Sequence, residues 1–333
     1  MITAFAANGP KNELIRFEYE PNELNDDQVE IDVNFCGVSR RDLNMIDNIW
    51  GRSHYPLVPG HEIIGRIVKV GRAVKRLTLG QVVGLGWQAG CCHQCQACIA
   101  GYQHLCSQLQ STIIGHHGGF SERVRGQESS VIAIPDYVDL ESAAPFMSAG
   151  ISVFYPIVEF GIKPTDKVAI IGLGGLGHLA VQFLHAWGCE VNVFTSDMNK
   201  KTDAITMGAD AVYHSKKRAD ILLLSGQFDF ILSTVNVQMA WDSYMQALKP
   251  TGRLHFLTKS VDAITVNGSA MVAGQKTLSG SSDGPLSLVG TMLKFASLHG
   301  IKPVIEKCSF DDINQAISRV RKGQVRYRLV LCR

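Results

Sequence analysis

Charge is scarce in this 333-residue chain: 19% of the residues are charged and the net charge is only +2. Lysine and arginine form no long block, which argues against a nucleic-acid partner and against an anionic membrane surface. The opening MITAFAANGPKNEL lacks a basic region followed by a long apolar run. No secretory signal is therefore expected, and the cytoplasm is the expected compartment. Repeats, low-complexity tracts and long linkers are missing too. The stretch Val168–Cys189 has no Asp, Glu, Lys or Arg and imitates a membrane span. Its centre reads GLGGLGH, however, and so many glycines disfavour one continuous helix; a buried strand, a tight turn and a packed helix fit better. What remains is an ordinary soluble composition, 46% hydrophobic, and a length that suggests about two domains with separate cores.

Nine cysteines are an ordinary number, but Cys92, Cys95, Cys98 and Cys106 fall as C-x2-C-x2-C-x7-C in a glycine-rich stretch. Four thiolates at such spacing can converge on one tetrahedral Zn²⁺, and a closed shell of four is a structural site. Free thiols or two disulfides are the alternatives. In a chain with no mark of secretion, the metal site is the expected reading.

Around this lobe, residues 89–107, the texture is β-rich. Val29–Val38 and Ile63–Val70 read as strands, and Gly60, Gly65, Gly71, Gly80, Gly84 and Gly86 punctuate short apolar runs. From about residue 150 the pattern alternates. Lys167–Gly172 carries a continuous apolar run and reads as a buried strand, His178–Trp187 as a helix and Cys189–Ser196 as a second strand. Asp210–His214, Asp229–Val235 and Arg253–Thr258 are further strands, with a helix over Met239–Leu248 stopped by Pro250 and Gly252. Alternating strands and helices imply a doubly wound parallel sheet. Near the end, Ser309 is placed to cap a helix that stops near Gly323, and Tyr327–Cys332 is a last strand.

Gly172-Leu173-Gly174-Gly175-Leu176-Gly177 matches G-x-G-x-x-G directly after a buried strand and at the opening of a helix, the context that makes the motif a dinucleotide site. Gly172 permits the turn, Gly174 lets a pyrophosphate approach, and Gly177 lets the helix pack on the sheet. The helix N-terminus adds NH groups and a positive dipole end. The next strand ends Thr195-Ser196, with Lys200 and Lys201 close behind. Hydroxyls and a cation suit the 2′-phosphate of NADP(H) better than the bare ribose of NAD. Asp197 is the contrary sign, since it would repel a phosphate if it pointed inward.

With these pieces assembled, the chain resembles the medium-chain, zinc-type alcohol dehydrogenases, and within them the cinnamyl alcohol dehydrogenase and bacterial aldehyde reductase branch. The resemblance rests on Tyr55–Gly71 (YPLVPGHEIIGRIVKVG), the cysteine lobe, Gly118–Val124, Ala143–Pro156, Val168–Phe183 and Val325–Leu331. It implies a GroES-like catalytic domain over 1–148 and 288–333, a Rossmann domain over 149–287, an active site in the cleft, and a homodimer or homotetramer. It implies hydride transfer between a nicotinamide and a small-molecule aldehyde, alcohol or conjugated carbonyl. It places a pyrophosphate contact at Arg40 and Arg328 and a nicotinamide contact at Ser152. An apolar pocket from Ile49, Trp50 and Trp87 is a weaker expectation; His116, His117, His178 and His185 show no ligand spacing, and His93 lies in the zinc lobe, where four cysteines already satisfy the metal.

The family also carries a catalytic zinc, and there the chain departs. The ligand positions map to Ser39, His61 (followed by Glu62) and Ser148, so both thiolates are replaced by neutral hydroxyls, which are weak ligands for Zn²⁺. Arg41 stands where the family has its proton-relaying Ser or Thr; a guanidinium stays charged and is a poor acid or base. Arg41 either supplies positive charge to the vacated pocket or pairs with Glu62 or Asp42. Asp42 sits where the family's acid orients the zinc-binding His. Two functions follow as expectations: an NADP(H)-dependent reductase with a degraded zinc site, or an inactive dinucleotide-binding homologue. A catalytic site rebuilt from His61, Glu62 and Asp42 is a further possibility.

Overall fold

The computed structural model describes residues 1–259 and 263–333. Contacts divide the chain into two compact units: Met1–Ile151 with Pro285–Ser297 and Lys302–Arg333, and Ser152–Gly284 with Leu298–Ile301.

The first unit is built on a mixed sheet. Its strands run in the order Ile305–Ser309, Arg328–Cys332, Gln28–Val38, Ile63–Val70, Val82–Leu85 and Val131–Ala133, with Arg123–Gln127 pairing onto Gln28–Val38 as well. The long strand Gln28–Val38 alternates valine and isoleucine with polar residues, and its inward side chains join a core with Ile63, Ile67, Val83, Leu85, Val124 and Leu329. Glu30 is the exception on that strand. It is buried and faces Arg125 across one edge and Lys69 across the other. Its carboxylate accepts from Arg125 Nε at 2.9 Å, Arg125 Nη2 at 2.7 Å and Arg123 Nη1 at 3.1 Å. The cysteine lobe holds one turn of helix, Gln96–Ile99, and a 3₁₀ turn, Gln103–Leu105.

The second unit is a six-stranded parallel sheet in the order Ala211–His214, Glu190–Thr195, Lys167–Ile171, Phe228–Ser233, Leu248–Phe256 and Thr277–Gly280. Numbered along the chain this is 3-2-1-4-5-6, the dinucleotide-binding arrangement, whose order reverses beside Lys167–Ile171. Four of its strands lie within two residues of the expected bounds. Leu248–Phe256 does not: it begins five residues before Arg253, and Pro250 and Gly252 lie inside it rather than ending a helix. The preceding helix, Trp241–Ala247, has already stopped, and a bulge with Thr251 at φ +65° accommodates the proline. Ser309 does act as a cap, accepting from Asp311 N at 3.2 Å, and the helix that follows spans Ile313–Arg321.

Candidate active site and cofactor loop

Ser39 ends the run of the long strand and begins the helix Arg40–Ile46. Its extended backbone and hydroxyl make it the N-cap: Ser39 Oγ accepts from Arg41 N at 3.1 Å and donates to Asp42 Oδ2 at 2.9 Å. Ser39 N donates to the same carboxylate oxygen at 2.8 Å. This is a capping box, with Asp in the place of the usual Glu. The other carboxylate oxygen, Asp42 Oδ1, accepts from Gly60 N at 3.0 Å and lies 2.9 Å from His61 Nδ1. Asp42 is thus the hub that ties the helix start to the segment carrying His61. Burial works against its charge, but the interaction with His61 and the hydrogen bonds from His61 and Ser39 outweigh it and hold the carboxyl below the usual range.

Glu62 faces the other way. Its buried carboxylate is ion-paired with Arg328 Nη2, and the pair sits over Gly37, where a Cβ would come within 2.1 Å of Glu62 Oε2. Arg328, expected at a cofactor pyrophosphate, is therefore engaged with Glu62, while its Nε is buried without a partner. Arg41 packs its side chain on an aromatic ring. Its guanidinium lies 4.8 Å from the centre of the Trp87 ring, and His61 meets the same ring edge-on at 5.3 Å. Arg40 and Ile49 are exposed. Ser148 is buried directly after the turn Ala144–Met147.

Does this donor set fit a catalytic zinc? Among the described residues, the only group of three or more His, Cys, Asp or Glu ligand atoms close enough to share an ion is the cysteine lobe. His61, Glu62 and Asp42 do not rebuild the site. The nearby Cys36 joins no such group, and its thiol is buried. The residues at this position do not fit a catalytic zinc.

The lobe does fit one. The four Sγ atoms lie within 4.8 Å of one another, with Cys92–Cys106 at 3.5 Å, Cys95–Cys106 at 3.9 Å and Cys92–Cys98 at 4.0 Å. A Zn–S bond of about 2.3 Å gives a tetrahedral S–S edge of about 3.8 Å. Backbone NH groups favour the thiolate at Cys92 and Cys95, whose pKa values are lowered chiefly by donors from Gln94 and Cys98 respectively. None of the nine cysteines forms a disulfide.

In the second unit, Gly172 makes the turn and Gly177 the close packing that their spacing implies. Gly172 has φ +96°. A Cβ on Gly177 would lie 1.9 Å from Gly172 O, so the helix Gly177–Trp187 packs directly against the turn. A Cβ on Gly174 would meet nothing within 4 Å, which leaves an open cradle for a phosphate group beside the backbone of Gly175 and Leu176. Lys200 Nζ donates to Leu173 O at 3.2 Å, so an ammonium is brought against the loop. Ser196 is exposed at the end of Glu190–Thr195. Asp197, the contrary sign, turns its carboxylate back to Asn199 N at 3.1 Å. Thr195 Oγ1 is held at Asp197 N at 3.2 Å, and Ser152 Oγ donates to Ser282 O at 2.8 Å. One residue of this site was not expected. Thr234 Oγ1 lies 2.9 Å from Ile171 O and 3.1 Å from Gly172 O and props the turn. Its signal was present: a hydroxyl directly after Phe228–Ser233, the neighbour of the strand that carries the loop.

Residues 25–136 match the model of the alcohol dehydrogenase GroES-like domain, and residues 175–298 that of the zinc-binding dehydrogenase. An aldehyde reductase of Synechocystis is 47% identical over 331 residues, 99% of this chain and 98% of that protein. The chain belongs to the zinc-type alcohol dehydrogenase family. Within it, the aldehyde reductase and cinnamyl alcohol dehydrogenase branch is the one matched: a probable cinnamyl alcohol dehydrogenase of Arabidopsis thaliana is 35% identical across 98% of this chain and 93% of its own length. Among solved structures, a cinnamyl alcohol dehydrogenase from Sorghum bicolor superimposes with a TM-score of 0.96 at 31% identity, covering 99% of this chain and 97% of that one. A CAD from Helicobacter pylori complexed with NADP(H) superimposes at 0.91 and 27% identity, covering 99% and 97%.

Proposed function

We propose that this member of the alcohol dehydrogenase family is an NADPH-dependent reductase of aldehydes or conjugated carbonyl compounds. The observation that carries the reading is Lys200 against the glycine loop, with Ser196 at the adjoining strand end and Asp197 turned to its own backbone. A cation and a hydroxyl there can hold a 2′-phosphate. Gly172, Gly174 and Gly175, with Leu176 and Gly177 opening the helix, receive the pyrophosphate on backbone NH groups. Bound NADPH supplies the hydride. The Ser148 hydroxyl and the His61 ring are the groups we assign to the carbonyl oxygen; neither Ser148 Oγ nor His61 Nε2 has a hydrogen-bond partner among the described residues. We assign Arg40 to the cofactor pyrophosphate, and Trp87 to the wall of the substrate pocket. The cysteine lobe takes a structural zinc.

We further propose a homodimer or homotetramer. The outer edge of Thr277–Gly280 pairs with no strand among the described residues, and such an edge invites a second copy. A cytoplasmic location is supported by nine cysteines without a disulfide. Loss of two metal thiolates favours a second reading, an inactive homologue that still binds the dinucleotide. The test is NADPH oxidation at 340 nm over a panel of aldehydes and enones, with NADPH binding measured in parallel. Turnover with NADPH well above NADH supports the reductase; binding without turnover on any acceptor establishes the second reading.

A further inference from the structure

The family's metal position is not simply short of ligands here; its residues have taken up other work. We infer that this chain carries a single zinc, in the cysteine lobe, and that Ser39 has become the N-cap of a metal-free site organised by Asp42.

The hydroxyl hydrogen of Ser39 points to Asp42 Oδ2 at 2.9 Å, and a lone pair of the same oxygen accepts from Arg41 N at 3.1 Å. A serine oxygen caps a helix better than a sulfur does, because sulfur is a weak acceptor. The replacement that removed a metal ligand therefore added a cap. Asp42 spreads its charge over Ser39 N, Ser39 Oγ, Gly60 N and His61 Nδ1. Glu62 is neutralised by Arg328. Every carboxylate at the site is thus committed, and Ser39 and Ser148 bring no charge. A divalent cation among these buried groups would have no anion to compensate it, which is prohibitive in a low-dielectric site. The lobe offers the opposite, four sulfurs already near tetrahedral spacing.

The decisive measurement is zinc per chain on the full-length protein purified without chelator or added metal. One equivalent is expected; two equivalents, or none, would overturn the inference. Cobalt exchange then locates the ion, since a site of four thiolates gives an intense sulfur-to-cobalt charge-transfer band and should account for all bound cobalt. The Ser39→Cys/Ser148→Cys variant should gain a second equivalent of zinc. If it folds and binds NADPH but stays at one, the two serines do not set the metal content and the inference fails. If it does not fold, wild-type zinc and cobalt content decide alone. The metal count is independent of the reductase reading: absence of turnover would overturn that reading and leave the count untouched.

Discussion

Single residues separate what the cofactor loop needs for folding from what it needs for binding. Gly177 and Gly174 are three residues apart, yet a Cβ would meet Gly172 O at 1.9 Å from the first and nothing within 4 Å from the second. Gly177→Ala must push the helix off the turn, an overpacking cost of about 3 kcal/mol, visible as a lower melting temperature with NADPH binding lost as well. Gly174→Ala should leave the melting temperature unchanged and still weaken NADPH about tenfold or more, because its methyl group enters the space a phosphate would use. Equilibrium titration and thermal melts on both variants check the contrast. Lys200 tests the choice of cofactor. A hydrogen bond to a charged group is worth about 1.5–3 kcal/mol, so Lys200→Ala should lower kcat/KM for NADPH by about tenfold or more and leave NADH within about twofold. An equal loss with both cofactors would mean that Lys200 serves the loop through Leu173 O and not the 2′-phosphate.

At the level of strands and helices, periodicity carried the parallel sheet, because strands buried on both faces show as unbroken apolar runs between glycines. Lys167–Ile171 was legible for that reason. Leu248–Phe256 was only half legible, since Pro250 and Gly252 normally end elements and here sit in a bulge. Thr277–Gly280 is short, partly exposed and at a sheet edge, and carries no apolar run to find. The family's ligand positions could be mapped onto the chain through the resemblance, but the fate of the carboxylates could not be read: Glu62 meets Arg328, which is 266 residues away. The capping box was different, for S-R-R-D at 39–42 spells it locally. The Glu30 cluster is another long-range arrangement with a measurable consequence, because it fastens Arg123–Gln127 to Gln28–Val38. Burial opposes the Glu30 charge, but the hydrogen bonds from Arg125 and Arg123 prevail and lower its pKa. A lowered folded-state value stabilises fully above the unfolded value of about 4.3, and that stability is lost as the pH falls through the folded value. Glu30→Gln should cost about 2 kcal/mol at pH 7, less than a fully buried pair because the arginines are partly exposed. The gap to wild type should begin to narrow below about pH 4.3 and close as the pH falls through the lowered folded-state value. Calorimetry at pH 7 and below that value decides it, and a gap that persists in acid would show that glutamine packing, not charge, is responsible.

Over the whole molecule, two cores and two ligand sites are divided between two units. The cysteine lobe, His61 and Asp42 lie in the unit that contains both chain ends, and the glycine loop with Lys200 lies in the other. Ligands that bind only the folded state stabilise the unit they touch. NADPH at 100 times its dissociation constant should add about 2.7 kcal/mol, and NADH at the same concentration much less. In a unit of this size, each kcal/mol moves the transition by about 2–4 °C, so a shift of about 5–10 °C is expected with NADPH. Zinc removal acts on the other unit, where the cysteines lose the ion that ties them together and the lobe has little core of its own beyond its cysteines and Leu109. Differential scanning calorimetry with each treatment applied alone distinguishes two cases. If NADPH and a chelator move separate transitions, the units unfold independently and the cofactor cannot rescue protein stripped of zinc. If both move one common transition, the units melt together, and saturating NADPH should slow the loss of zinc to a chelator.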